Sequence, residues 1–203
     1  MKKLKFSCTR CGNCCTDKKT IVNVTYLDIL RIKNGLNLEL NEVLEILGFY
    51  IFDKKLTDNG RKKMIISPIM TEKGLAFAGL LKNSLGGCYF YDSTNKKCLI
   101  YNLRPAFCRT FPFSFRLLDE NEDENKREID IFYTEKAKQY CPGISDESPF
   151  INQDHWIRLS RKILEDIKNN DKIIQDWNEK VKNCEIKPTV KNFLREIFSL
   201  NNL

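Results

Sequence analysis

The chain of 203 residues contains a single histidine. Zinc sites of the Cys₂His₂ type and catalytic metal sites built on several imidazoles are therefore all but excluded. No run of eighteen apolar residues occurs, so no membrane-spanning helix is expected. The opening Met1-Lys-Lys-Leu-Lys-Phe-Ser is basic but has no apolar stretch behind it. A secretory leader is not expected on that ground, and the reducing cytoplasm is the expected compartment. Internal repeats and low-complexity linkers are also missing. The sequence shows no glycine-rich nucleotide fingerprint and no Cys-x-x-x-Cys-x-x-Cys loop of the radical enzymes. No stretch combines stacking aromatics with a basic motif, which disfavours a nucleic-acid role.

What the chain has in abundance is thiol. Four of its nine cysteines fall within eight residues: Cys8-Thr-Arg-Cys11-Gly-Asn-Cys14-Cys15. Cys-x-x-Cys lets two thiolates converge on one centre, because a tight turn brings both sulfurs to one side. Gly12 suits such a turn, where a positive φ is often needed. Cys88, Cys98, Cys108, Cys141 and Cys184 follow. In a reducing compartment these read as metal ligands rather than disulfides, and the adjacent Cys14-Cys15 and the odd total point the same way.

The formal net charge is +7. From Gly143 onward ten Lys/Arg face ten Asp/Glu, so the excess belongs to the part that carries the cysteine cluster. Thiolate-bound zinc and [4Fe–4S] centres are anionic, and the surrounding Lys and Arg would offset that charge.

Periodicity predicts a helix over Tyr26–Asn34, capped by Thr25 with Asp28 in its first turn and stopped by Gly35. A second is expected over Glu42–Leu47, between Asn41 and Gly48. Short strands are expected at Phe49–Phe52, Met64–Ile66 and Leu75–Leu81, with a turn at Asp58-Asn-Gly60. Two hairpins follow. One pairs Cys88–Tyr91 with Cys98–Tyr101. The other pairs Phe111–Leu118 with Glu128–Tyr133 across a solvated acidic turn, Asp119–Glu124. Helices are then expected over His155–Lys168, Lys172–Val181 and from Pro188 to Leu200.

The eight cysteines up to Cys141 suffice for two four-thiolate sites. Cys8, Cys11 and Cys14 with the remote Cys141-Pro142 match a ferredoxin-like ligand set. Cys15, Cys88, Cys98 and Cys108 would then form a second. Adjacent Cys14 and Cys15 could serve neighbouring centres or two metals of one cluster, and the spacing leaves that partition open. Zinc is the direct competitor, but only one end of the chain has knuckle spacing, which favours iron–sulfur. Arg104 and Arg109 flank Cys108, and rigid guanidinium donors there suit contacts to thiolate or sulfide, or to an anionic substrate. A surface ion pair is the plainer alternative. His155 reads as a packed or capping residue, and Cys184 as an ordinary thiol.

Phe6-x-Cys8-x-x-Cys11-Gly12-x-Cys14-Cys15, followed by Cys88 and by Cys98-x-Ile100-Tyr101-x-x-Arg104-Pro105-x-x-Cys108-Arg109-x-Phe111-Pro112-Phe113, resembles the YkgJ-type CxxCxxCC cysteine-cluster family. The resemblance covers residues 6–113. It implies a zinc- or iron-chelating domain whose members are called iron–sulfur-cluster proteins, and it makes Cys141-Pro142 look like a further ligand of longer members. A flagellin lysine N-methylase shares the cysteine motifs, so the resemblance also admits a protein-modifying enzyme. The expected fold is α+β: a small irregular sheet and short helices around a cysteine-ligated centre in residues 1–145, with a helical extension packed on it in residues 146–203. The leading expectation is a metal protein with one or two [4Fe–4S] centres and a redox or protein partner. A structural zinc module and a cluster-dependent methylase or oxidoreductase are the alternatives.

Overall fold

A computed structural model describes residues 3–52, 65–118 and 127–200. The expected turns at Asp58–Gly60 and Asp119–Glu124, and Met64 of one expected strand, lie outside the described residues. Helix α1 (Asn13–Thr16) is a single turn, α2 spans Tyr26–Leu36 and α3 spans Leu40–Ile46. Strand β1 (Leu47–Ile51) leaves α3 without a loop. β2 (Ile69–Thr71) and β3 (Gly74–Leu80) form a hairpin, and β3 is the centre of an antiparallel β1-β3-β2 sheet. Its register runs from Leu47 opposite Leu80 to Ile51 opposite Ala76. Two two-stranded ribbons follow: β4 (Tyr91–Asp92) with β5 (Lys97–Cys98), and β6 (Phe113–Leu117) with β7 (Ile129–Tyr133). Between them stand a 3₁₀ turn, Tyr101–Leu103, and the short helix α4 (Ala106–Thr110). Helix α5 (Glu135–Tyr140), the long α6 (Gln153–Lys182) and α7 (Val190–Ser199) complete the described chain. The fold is α+β with a helical C-terminal region.

Helix α2 begins as its sequence predicts. Thr25 Oγ1 accepts the Asp28 N–H at 3.3 Å, and Asp28 Oδ2 accepts the Thr25 N–H at 3.1 Å. Gly35 does not stop the helix. It lies inside it, where a Cβ would come within 2.6 Å of the Leu103 methyls, so glycine serves close approach of the 3₁₀ turn. The helix ends at Asn37, in the left-handed region with φ 53°. Helix α3 starts two residues earlier than Asn41 would place it, because the Glu42 carboxylate accepts the Glu39 N–H at 2.7 Å. Leu47 and Gly48 then enter β1. The first expected hairpin is shorter than predicted: Tyr91 pairs with Cys98, while Cys88 precedes the ribbon and bridges to Lys82.

The largest departure is α6. Asn169-Asn170-Asp171 separates two apolar stripes and suggests two helices, yet the helix runs unbroken for 30 residues. Its polar side chains satisfy backbone groups of neighbouring segments instead of ending it. Asn170 Oδ1 accepts the Tyr26 N–H at 2.9 Å, Asp171 Oδ1 the Ser67 N–H at 2.9 Å, and Asn178 Oδ1 the Met70 N–H at 2.8 Å. Asn178 Nδ2 and Trp177 Nε1 donate to the Pro68 and Met70 carbonyls, both at 2.9 Å. These bonds dock α6 on β2 and on the start of α2. The apolar core joins Ile29 and Ile32 of α2, Val43 of α3, Leu80 of β3, Ile174 and Trp177 of α6, and Leu194 and Ile197 of α7.

Asp28, 1% exposed, does more than cap its own helix. Oδ1 accepts Arg31 Nη1 at 2.8 Å and the Ala106 N–H at 3.0 Å. Arg31 Nη1 also donates to the Arg104 carbonyl at 3.3 Å. Asp28→Ala strands these donors and should lower stability by about 3 kcal/mol, read as a shift in the urea midpoint followed by tryptophan fluorescence. Asp28→Asn keeps one acceptor and should lose less. Equal, small losses in both variants would remove Asp28 from this role.

Candidate metal centre

The N-terminal motif wraps around Gly12, whose φ is 80°. Its carbonyl accepts the Cys15 N–H at 2.8 Å and the Thr16 N–H at 3.0 Å, which winds Cys14 and Cys15 onto α1. A Cβ at residue 12 would strike the Tyr91 hydroxyl and ring, so the loop lies directly against β4. Both flanks of this loop are tied to the flanks of Cys141. Ser7 N–H donates to the Gly143 carbonyl at 3.1 Å, and Asn13 Nδ2 to the Tyr140 carbonyl at 2.9 Å. Cys141 itself ends α5, which Thr134 caps by accepting the Ala137 N–H. The rings of Phe111 and Tyr140 stack at 6.0 Å, joining the end of α4 to the end of α5.

The other cysteines come from later segments of the chain. The Cys88 N–H donates to the Cys15 carbonyl at 2.7 Å. Cys98 sits opposite Tyr91 in the β4–β5 ribbon. Cys108 lies on α4, whose first N–H Asp28 holds. Cys8, Cys11 and Cys14 are exposed, whereas Cys15, Cys88, Cys98, Cys108 and Cys141 are half-buried. Cys184 is exposed in the turn after α6. His155 is exposed on α6, where its N–H receives the cap from Asn152 Oδ1 at 3.0 Å.

The thiols act on one another. Cys14 Sγ and Cys15 Sγ are 3.9 Å apart. The hydrogen bond between them lowers Cys14 to about 7 and raises Cys15. Burial pushes Cys88, Cys98, Cys108 and Cys141 upward. The fields of neighbouring cysteines push the same way: Cys14 and Cys98 on Cys88, and Cys11, Cys14 and Cys8 on Cys141. Arg104 opposes this at Cys14, Cys98 and Cys108, and Lys82 at Cys88. Burial, then Asp17 and the thiols Cys14, Cys141 and Cys11, lift Tyr140 to about 12.

Arg104 is fixed for its task. Its guanidinium lies 3.7 Å from the Tyr101 ring centroid and its Nε donates to the Tyr101 carbonyl at 2.9 Å. Arg10 approaches the same ring at 4.7 Å. Arg109, by contrast, stands in the field of Arg31, Asp28 and Asp166, and its Nε and Nη2 are buried without a hydrogen-bond partner.

Sequence reasoning did not single out Asp17 and Lys82 as braces of the loop. Asp17 Oδ2 meets Lys136 Nζ at 2.5 Å and accepts from Thr20 Oγ1 at 2.5 Å, and Lys82 Nζ donates to the Asp17 carbonyl at 2.6 Å. The local Asp17-to-Lys19 turn, with its 2.9 Å bond, was a visible signal. Lys136 lies too far along the chain to be one.

The donor set is soft and anionic when ionised: thiols, with guanidinium and ammonium nearby and no imidazole. Soft thiolate sets suit zinc and iron–sulfur clusters, so these residues fit either group. Among the described residues, no three potential ligands are already gathered as for a single ion.

Residues 7–142 match the CxxCxxCC family, described as "Putative zinc- or iron-chelating domain". The chain belongs to the CxxCxxCC family. The match spans the N-terminal motif, Cys88, Cys98, Cys108 and Cys141, and stops before α6. An uncharacterized protein of Methanocaldococcus jannaschii, MJ0661, is similar to this chain, with 29% identity over 153 residues. The alignment covers 70% of this chain and 65% of that protein, so the chain spans just under two thirds of its relative. No solved structure matches the chain. Family membership supports metal binding in general, and no described helix is long and apolar enough to cross a membrane.

Gly12→Ala tests the loop. A non-glycine residue in the left-handed region costs about 1 kcal/mol, and here the methyl also meets Tyr91. Metal content per chain should fall well below wild type, measured by elemental analysis. Gly86→Ala is the control: φ is 83° and its Cβ meets only the Lys18 side chain, so strain without collision should leave metal content near wild type. Equal losses in both variants would mean that backbone strain alone is responsible.

Proposed function

We propose that this protein binds iron–sulfur through Cys8, Cys11, Cys14, Cys15, Cys88, Cys98, Cys108 and Cys141, and that it exchanges electrons with a protein partner. The observation that carries the reading is the company these thiols keep. The strongest charges acting on Cys14, Cys15, Cys88, Cys98, Cys108 and Cys141 come from other cysteines, Arg104 and Lys82, not from carboxylates or an imidazole. Such a set suits an anionic sulfur cluster with cations set against it. The cluster would supply one-electron exchange. The protein's own residues hold the loop around Gly12, set Arg104 against the thiolates, and cover the inner cysteines.

Zinc is a second reading with a specific observation behind it. Tetrahedral Zn–S bonds of about 2.3 Å place two thiolates about 3.8 Å apart, and Cys14 and Cys15 stand at 3.9 Å. A structural zinc module would bind a partner and carry out no redox step.

Anaerobic purification followed by iron, acid-labile sulfide and zinc analysis separates the two. Near-equal iron and sulfide, with a broad visible band that bleaches on reduction, is the expected result. Colourless protein holding zinc alone would sink the iron–sulfur reading. Cys88→Ser should lose metal in either case, whereas Cys184→Ser should keep the wild-type content.

A further inference from the structure

Three large apolar side chains stand in solvent beside the cysteines of the β4–β5 region. Leu85, Tyr89 and Leu99 are 68%, 44% and 59% exposed, close in sequence to Cys88 or Cys98. A single exposed leucine is ordinary, but these three are carried on linked backbone. The Asn83 N–H donates to the Gly87 carbonyl at 2.8 Å and closes the turn that holds Leu85. A Cβ on Gly87 would meet the Cys15 carbonyl at 3.3 Å, the same carbonyl that takes the Cys88 N–H. Tyr89 packs edge-on against Phe90 at 5.2 Å, and the Phe90 carbonyl takes the Leu99 N–H at 2.9 Å. Charge follows the same segments. Residues 8–20 and 82–104 hold seven Lys and Arg against two Asp. Both acids are engaged: Asp17 with Lys136 and Thr20, and Asp92 with the Thr94 and Asn95 N–H groups and Asn95 Nδ2. Lys18, Lys96 and Lys97 are exposed, with no ion pair among the described residues. The Lys18 stem lies along the Leu85 turn, where a Cβ on Gly86 would meet it at 3.1 Å.

We infer that this face docks an acidic electron-transfer protein, with Leu85, Tyr89 and Leu99 as its apolar contacts and Lys18, Lys96 and Lys97 as its charges. The inference rests on the iron–sulfur reading above. Electron-transfer contacts are small and short-lived, and charge at their rim governs the rate of encounter. Tyr89 follows Cys88 directly and Leu99 follows Cys98, so a partner seated on them lies one residue from two proposed ligands. The Cys8–Cys15 loop is also open to solvent, but no large apolar side chain lies between its cysteines. A second copy of the chain docked face to face would set lysine against lysine. Nucleic acid favours a platform of aromatic rings, and of the three apolar contacts Tyr89 alone is aromatic.

The test uses the full chain, reconstituted anaerobically with iron and sulfide and reduced with dithionite, which is then removed. It is mixed in stopped flow with one of two oxidised haem proteins, acidic cytochrome b5 or basic cytochrome c. In each case one electron leaves the reduced centre, which is oxidised, and converts ferric haem to ferrous, followed at the haem bands. Transfer to cytochrome b5 should be the more sensitive to salt, slowing about tenfold between low and high ionic strength. Lys18→Glu with Lys96→Glu should slow it about tenfold at low salt. Lys172→Glu with Lys182→Glu makes the same charge change on exposed positions of α6 and should cost less than about twofold. Leu85→Ser with Leu99→Ser should slow transfer at high salt, where steering is screened. Iron and sulfide content equal to wild type certifies each variant, and Lys97→Gln against Lys172→Gln replaces the first comparison if that pair loads poorly. Equal losses in the α6 pair, or transfer to cytochrome c that slows with salt as cytochrome b5 does, would overturn the inference and leave the iron–sulfur reading standing. So would binding of the loaded chain to phosphatidylglycerol vesicles or single-stranded DNA that Lys18→Glu with Lys96→Glu abolishes, since the face would then serve a different anion. No uptake of iron and sulfide at all would overturn the reading itself.

Discussion

Asp28 is a carboxylate with 1% of its surface exposed, and donors from three places close on it: the Thr25 N–H, the Arg31 guanidinium and the Ala106 N–H. Burying a charge is unfavourable unless it is fully hydrogen-bonded, and here both oxygens are used. One acceptor thus starts two helices that lie far apart in sequence. It caps α2, which carries Ile29 and Ile32 into the core, and it fixes the first turn of α4, which carries Cys108. Arg31, bonded to the same carboxylate, also holds the Arg104 carbonyl. The geometry of the inner cysteines therefore depends on a bond made in the apolar core.

From that anchor the charge balance of the centre follows. Arg104 is stacked on Tyr101 and bonded to its carbonyl, so its guanidinium stays in place near Cys14, Cys98 and Cys108 without a carboxylate partner. An arginine suits this position because a planar guanidinium can stack and still direct N–H groups outward, which a lysine ammonium cannot. At the end of α1 Asp17 is held by Lys136 and Thr20, and its carbonyl takes Lys82. That carboxylate is neutralised by its own partners and is not a ligand candidate. The result is a cysteine cluster whose nearest charges are positive, in the part of the chain that holds the whole excess of Lys and Arg.

The cysteine chemistry was legible because its signal is local: four thiols in eight residues, and two arginines around Cys108. The Thr25–Asp28 cap was legible for the same reason. What could not be read were partners set by the fold. Nothing near Asp28 announces Ala106, 78 residues away. Asn170 and Asp171 look like helix breakers because their side chains compete for backbone groups, and here the groups they bond belong to Tyr26 and Ser67. Gly35 looks like a stop signal, but its lack of a side chain is used to admit Leu103. The two arginines of one motif diverge because Arg104 stands before α4 in extended backbone while Arg109 lies within that helix, so Arg104 acts on thiols while Arg109 lies in the field of Asp28 and Asp166.

Arg109 and Asn170 show how the long helix connects to the centre. Arg109 is on α4, one residue after Cys108, and Asn170 is on α6, where its Oδ1 holds the start of α2. Arg109 Nε and Nη2 and Asn170 Nδ2 are buried donors without protein acceptors. Asp166, whose carboxyl is pushed up by burial, acts electrostatically on Arg109 from α6. The back of the thiol cluster is then a polar seam between α4, α2 and α6, while its front is the Gly12 loop. The thiols raised by burial need a cation to become thiolates, whereas the seam behind Cys108 already pairs Asp28 with Arg31. Metal binding on such a frame completes the front of a core whose back is already held by the protein, so loading and local folding act on the same few segments.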